Sequence, residues 1–291
     1  MPQLLDSDVQ TKEVLDWRGV HLFHFMGSSC SQKTRIFLNL KGIDWESHHV
    51  DVPAHENYGE RYMGINPRGL VPALVHDGRV IIESNDILEH LEQHFPEPAL
   101  IPAGLEQIAH DLLEQEDDLH LDLRALSMRY VFGPGAGKRS SDTLNQYQTA
   151  GSGTVLGERD AHKDVELKFF NDLVANDGVT DAQVRQSAER FKTAFNQLEE
   201  RLAKTEFLLG DTLSVLDIAW YIYGARLRDA GYPIAAEHPR VGAWFAKLDA
   251  RPEFNREVQA PPPLIAAREA MHMEQAKNGQ SLAQIAGLRT H

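Results

Sequence analysis

The stretch "VPALVHDGRVIIESNDILEHLE", Val71–Glu92, decides the fold. Two short apolar runs meet at Asp77-Gly78, a dipeptide that turns a tight hairpin. After the second run, Glu83-Ser84 precedes Ile87, Leu88 and Leu91 at helical spacing. This is a hairpin that feeds a helix. Pro72 cannot donate to a strand ladder, so it belongs at a strand start or an edge. Ser84 is expected at the N-cap, with Asp86 and Glu89 early in the helix.

Working outward, "VHLFHF" (20–25) alternates like a short strand, and "QKTRIFLNLKG" (32–42) continues as a helix ended by Gly42. "IDWESHHVDV" reads as a second strand and "HENYGERYMGI" as a short helix. The order β-α-β-α-β-β-α is the thioredoxin-like pattern, an α/β sheet of mixed direction. From "PEPALIP" onward only helices are expected, over 112–130, 165–176, 181–203, 215–230 and 241–250. The expected domains are therefore residues 19–95, α/β, and 104–262, all-α, with a C-terminal extension at 263–291 that frays. Glycine and serine enrichment in "FGPGAGKRSSD" and "TAGSGTVLGERD" predicts mobile loops.

The composition suits a folded chain of two domains: 291 residues, 42% hydrophobic, 25% charged. A net charge of -14, with no basic run, argues against a nucleic-acid partner. The first residues have neither a basic nor an apolar signal region, and no segment approaches bilayer length. A soluble cytoplasmic protein without a membrane partner is expected. The single cysteine, Cys30, cannot form an internal disulfide.

Several motifs carry no chemistry on this reading. "GPGAGKRS" has a glycine spacing one residue too short for a phosphate loop, and Arg139 stands where Ser or Thr is needed. His90 and His94 share a helical face, but Leu91 occupies the place of a metalloprotease glutamate. His48 and His49 point to opposite faces of a strand. These histidines are expected to be solvated or capping, and no metal site is expected. Ser214 and Asp217 read as a structural capping box, worth about 1–2 kcal/mol.

The turn "GSSCSQK" (27–33) is different. A thiol at a helix N-terminus has its thiolate stabilised by the helix dipole and by unpaired N–H groups, which makes reactivity at Cys30 plausible on physical grounds. Cys30-Ser-Gln-Lys33 is not a C-x-x-C pair, so only a mixed disulfide with an external thiol is open to it. The flanking Ser28, Ser29 and Ser31 offer hydroxyls that can donate to a bound thiolate and lower its pKa.

Three segments, "SSCSQKTRIFLNLKGIDWE", "INPRGLVPALVHDGRVIIESNDILEHLE" and "FLLGDTLSVLDIAW" with the following "HPRVGAWFAKLDARPEF", resemble cytosolic glutathione transferases over nearly the whole chain. The first resembles the zeta class and the bacterial reductive dehalogenases. The second, the chain length and "YVFGPGAGK" look more like the glutathione-dependent β-aryl-etherases. The resemblance implies glutathione as cosubstrate, a cis bond at Val71-Pro72 with the Val71 backbone offered to an extended peptide, and Glu83-Ser84 holding the γ-glutamyl end. It places thiolate activation at Ser28 or Ser29 in the zeta-like alignment and at Ser31 in the etherase-like one. Cys30 then matters only where a glutathione adduct must be resolved. The implied reaction is attack of glutathione thiolate on a small aromatic substrate, β-aryl ether cleavage above all. Reductive dehalogenation, maleylacetoacetate-type isomerisation and a non-catalytic binding role are the alternatives. A homodimer is implied as well. Leu119, Leu123, Met128, Tyr130 and Phe132 are candidates to line the second substrate's pocket.

Overall fold

The computed structural model describes residues 3–133 and 135–289; residues 1, 2, 134, 290 and 291, including Pro134 of the glycine-rich loop and the last two of the tail, lie outside the described residues. The chain divides into two compact units: Met1–Pro98 with Arg139–Asp172, and Ala99–Lys138 with Leu173–His291.

The first unit is built on β1 (Val20–His24), α1 (Ser29–Lys41), β2 (Glu46–His49), α2 (Glu60–Met63), β3 (Ala73–His76), β4 (Arg79–Ile82) and α3 (Ser84–His94). The sheet order is β2-β1-β3-β4, with β1 and β2 parallel and the other pairs antiparallel. Asp77 and Gly78 both have positive φ, 51° and 78°, as a two-residue hairpin of matching twist requires. A Cβ on Gly78 would lie 2.1 Å from the Leu15 carbonyl oxygen, so glycine is also a steric necessity there.

This unit is larger than the expected 19–95 in two ways. The leader belongs to it. Leu4 N–H donates to Val80 O at 2.9 Å, beside a bridge between Gln3 and Ile81, which covers the free edge of β4. Leu4, Val9 and Val14 are buried with Phe23, Val75, Val80 and Ile82.

Residues 139–172 also belong to the first unit, although they were expected within the helical domain, as glycine- and serine-rich loops followed by the start of the 165–176 helix. They form α6 (Ser141–Thr149), a hairpin of β5 (Thr154–Val155) and β6 (Glu158–Arg159), and the start of α7 (His162–Ala175), with α4 and α5 preceding them in the chain as described below. Tyr147 is buried, its ring 4.6 Å from that of Tyr58 and its hydroxyl donating to Arg68 O at 2.8 Å. Asp8 accepts from Thr154 Oγ1 at 2.7 Å and from Gly157 N–H at 3.1 Å. Here glycine serves tight turns rather than mobility: Leu156 and Gly157 both have positive φ at the hairpin tip.

The second unit is helical: α4 (Glu106–Asp117), α5 (His120–Tyr130), α8 (Asp181–Leu202), α9 (Val215–Asp229), α10 (Ile234–Glu237), α11 (Pro239–Asp249), α12 (Pro252–Val258), α13 (Pro262–Lys277) and α14 (Leu282–Ala286). The helix expected over 112–130 is broken at Asp118–Leu119. α9 is buried on nearly all sides and forms the centre of this unit. The tail does not fray within its described residues: α14 is capped by Ser281, buries Leu282 and packs on α8, and Arg268 of α13 pairs with Asp229 at 2.5 Å. Among the described residues no helix is long and apolar enough to cross a membrane.

Candidate functional site

The sheet register brings the expected site residues to one end of the first unit. Phe23 pairs with Ala73, and Ala73 pairs with Ile82. The end of β1, the start of β3 and the end of β4 are therefore side by side. The chain leaves these three positions through the turn before α1, through Val71-Pro72, and through Glu83-Ser84.

At the first exit, Ser28 is the N-cap of α1. Its hydroxyl accepts from Ser31 N–H at 3.3 Å and donates to Val71 O at 3.3 Å. A hydroxyl has one proton, so Ser28 is committed to joining the turn to the Val71 strand. Ser31 has no exposed surface, and its Oγ accepts from Phe25 N–H at 3.3 Å. Ser29, the first helical residue, is half-buried, and its hydroxyl bonds to no described residue. Cys30 is half-buried in the same first turn. The loop before them is held by Arg35, which is 2% exposed and donates to Phe25 O at 3.4 Å and Met26 O at 3.3 Å. His24 lies beside Arg35 at 3.2 Å and donates to Ser47 Oγ at 2.7 Å. Burial first, and the Arg35 charge second, push His24 down to about 4, so it is neutral at pH 7.

At the second exit, the Val71-Pro72 peptide is cis. The approach to it is tied down by side chains: Asn57 donates to Gly69 O at 2.7 Å, Asn66 to Leu70 O at 2.7 Å, and Tyr62 to Leu70 O at 2.5 Å. The Val71 N–H has no partner among the described residues, and its carbonyl keeps one lone pair beyond the Ser28 contact.

At the third exit the expected cap is shifted by one residue. Glu83, not Ser84, is the N-cap of α3, and its side chain makes no capping hydrogen bond; Ser84 is the first helical residue and is buried. Glu83 has φ 67° and ψ 126°, a region that non-glycine residues avoid at a cost of about 1–3 kcal/mol. Its surroundings fix it there. Glu83 accepts from Arg68 Nη1 at 2.7 Å, and the same guanidinium forks onto Asp160, with Nε at 2.7 Å and Nη2 at 2.9 Å. Burial opposes the Arg68 charge, but the hydrogen bonds to Asp160 and Glu83 outweigh it and raise its pKa. Burial likewise works against the Asp160 carboxylate, and the Arg68 bonds bring its pKa below the ordinary Asp value. Lys33, 1% exposed, donates to Asn85 Oδ1 at 2.6 Å and so joins α1 to the first turn of α3.

Sequence reasoning missed Arg68, Asp160, Asn57 and Arg35. Arg68 stands inside "INPRGLVP" and was legible as part of that motif, without a role. Asp160 lies 92 residues further on and gave no signal. In the second unit, Leu119, Leu123 and Tyr130 are core residues, 6%, 2% and 0% exposed, which removes them as pocket lining; Phe132 is 52% exposed.

Two family models match this chain: the glutathione S-transferase N-terminal domain over residues 27–94 and the C-terminal domain over 181–247. Over these two segments the chain matches the N-terminal and the C-terminal domain of a glutathione S-transferase, in that order. Among its relatives, a zeta-class glutathione S-transferase of Euphorbia esula is 42% identical over 88 residues, 30% of this chain and 39% of that protein. At that level of identity the chain spans about two fifths of the length of the curated relatives it matches. Protein LigF of Sphingobium sp. is 27% identical over 241 residues, 79% of this chain and 90% of that one. The crystal structure of the β-etherase LigF from Sphingobium sp. strain SYK-6 superposes with a TM-score of 0.65 at 22% identity, covering 82% of this chain and 98% of that chain, which shows the shared fold.

Proposed function

We propose that the protein is a glutathione-dependent enzyme in which glutathione thiolate attacks an aromatic electrophile, and that its reaction is β-aryl ether cleavage. One observation carries the choice of reaction: the likeness to the β-etherase runs through both domains, over 79% of the chain, whereas the zeta-class likeness stops after about 30%.

Glutathione lies along the three exits. The Val71 N–H and C=O pair with its cysteinyl backbone. The open N-terminus of α3, with Ser84, takes the γ-glutamyl carboxylate, and Glu83, held by Arg68, takes the ammonium. Ser29 is the hydroxyl left to donate to the sulfur, since the Ser28 proton is committed to Val71 O and Ser31 is fully buried. That bond stabilises the thiolate without making the serine a nucleophile. The thiolate then forms a C–S bond, the C–O bond breaks, and its electron pair leaves on the aryloxide, which takes a proton from water. Cys30 takes no part. The resemblance also supports a cytoplasmic homodimer, which a solution mass near twice 32.7 kDa would bear out and a mass near 32.7 kDa would refute.

Incubation with glutathione and a β-aryl ether should release one phenol for each glutathione conjugate formed. Ser29→Ala should lower kcat/KM by about a hundredfold, as loss of a donor to developing charge does elsewhere. Cys30→Ala should leave turnover intact. A double-bond isomer formed without consumption of glutathione, or conjugate accumulating only in Cys30→Ala, would overturn the assignment.

A further inference from the structure

The histidines set aside in the sequence acquire a third partner in the fold. His76 ends β3, and His90 and His94 sit one turn apart on α3. One donor atom from each lies within 4.8 Å of the other two. We propose that His76, His90 and His94 form a binding site for a divalent transition-metal ion of the zinc, cobalt or nickel type.

The donor set fits that class, because imidazole suits these ions and three histidines leave a fourth position open. His76 Nδ1 and His90 Nε2 are 2.9 Å apart. Two nitrogens of a tetrahedral site with metal bonds of about 2.0–2.1 Å stand roughly 3.3 Å apart. The pair is within half an ångström of that spacing. One proton now lies between these two nitrogens. An ion that takes both lone pairs sends it to the far nitrogen of one ring, and His76 Nε2 already faces Asp77 Oδ2 at 3.8 Å. His94 Nδ1–H donates to His90 O at 2.8 Å, which keeps its lone pair on Nε2. A backbone carbonyl or a carboxylate behind the ring is the usual support of a ligating histidine.

Access is also provided. His76 and His94 line an open groove of about 540 Å³ that includes Asp44 and Glu97, room for a water or a carboxylate in the fourth position. His76 and His90 are buried and held by the fold, and the exposed His94 closes the site. β3 and α3 begin at Ala73 and Ser84, so the ion would clip together the far ends of the two elements that carry the proposed glutathione site. That places it in a stabilising role, remote from the sulfur by about the length of α3, roughly 15 Å.

The test uses tag-free full-length protein stripped with a chelator and titrated with Co²⁺ or Zn²⁺ alone. One Co²⁺ per chain should bind at micromolar concentration with the visible spectrum of a tetrahedral nitrogen site, and the thermal midpoint should rise. His94→Asn, an exposed position whose folding can be checked by circular dichroism, should weaken binding at least about tenfold. His90→Gln should abolish it. A second cluster, His21, Glu46 and His48, serves as the control, and His48→Asn should leave the site intact. No uptake by the wild type, uptake unchanged in His94→Asn, or uptake lost in His48→Asn would each overturn the proposal.

Discussion

α9 and α3 each place an aspartate at the third helical position behind a polar cap residue, Ser-Val-Leu-Asp at 214–217 and Glu-Ser-Asn-Asp at 83–86, and their starts are finished in opposite ways. At α9 the chain closes the helix itself. Asp217 accepts from Ser214 N–H at 2.9 Å, Ser214 Oγ at 2.5 Å, Leu208 N–H at 3.0 Å and Trp244 Nε1 at 2.8 Å, and both Ser214 and Asp217 are fully buried. Burial pushes the Asp217 carboxyl up even against those four bonds. At α3 the residue in the cap position does not close the start, and its carboxylate turns to Arg68 instead. A closed start spends its polar groups on stability. A start that its cap residue leaves open can present the Ser84 N–H to an anion, and the Arg68 network holds the cap residue in a conformation that it would otherwise leave.

The largest effect should come from α9. Asp217→Ala strips four buried donors of their acceptor, and a loss of about 3–5 kcal/mol is expected, read as a lower urea midpoint. Any protein that remains folded should bind glutathione as the wild type does. A loss below about 1 kcal/mol would mean that the closed start is not what stabilises this unit.

Ser84→Ala should behave in the reverse sense. The stability should change little, because Ser84 is not the cap of α3. Glutathione affinity should fall by about ten- to a hundredfold, the worth of a hydrogen bond to a charged group. Calorimetry that finds equal affinity, with a lowered urea midpoint, would make the two helix starts alike and remove the distinction.

What was legible in the sequence follows from how local each feature is. The hairpin at Asp77-Gly78, the apolar spacing of Ile87, Leu88 and Leu91, and the Ser214–Asp217 pair are short-range patterns, and they read directly. The leader was not legible, since Leu4, Val9 and Val14 follow neither a helical nor a strand period; their burial depends on a sheet formed later in the chain. Ser28, Ser29 and Ser31 differ only in phase at the helix start, and one residue separates the cap from the free hydroxyl and two more separate that from the core residue. The Arg68–Asp160 fork joins distant segments and leaves no spacing to recognise, and of the histidine trio only the His90–His94 pair on one helical face could be read, since His76 comes from the neighbouring strand.

That fork gives the smallest expected effect and the most direct test of how the open start is held. Asp160→Asn keeps the shape of the side chain but replaces a charged bidentate partner. Arg68 still has Glu83, so the change should cost on the order of 1 kcal/mol, or about fivefold in glutathione affinity. The pH dependence supplies the sign. The folded pKa of Asp160 lies below the ordinary value of 3.8, so the unfolded chain binds the proton more readily. The contribution of the ion pair is complete above that ordinary value, and it is lost as the pH falls through the lower folded pKa. The wild type should therefore keep the 154–159 hairpin protected from protease at neutral pH and lose that protection only at acid pH below the ordinary carboxylate range. In Asp160→Asn the hairpin should be cut more readily at neutral pH, with no further acid step from this residue. If the variant matches the wild type in both affinity and hairpin protection, Arg68 holds Glu83 without help from the inserted segment, and the open start of α3 is fixed by residues of the 1–98 segment alone.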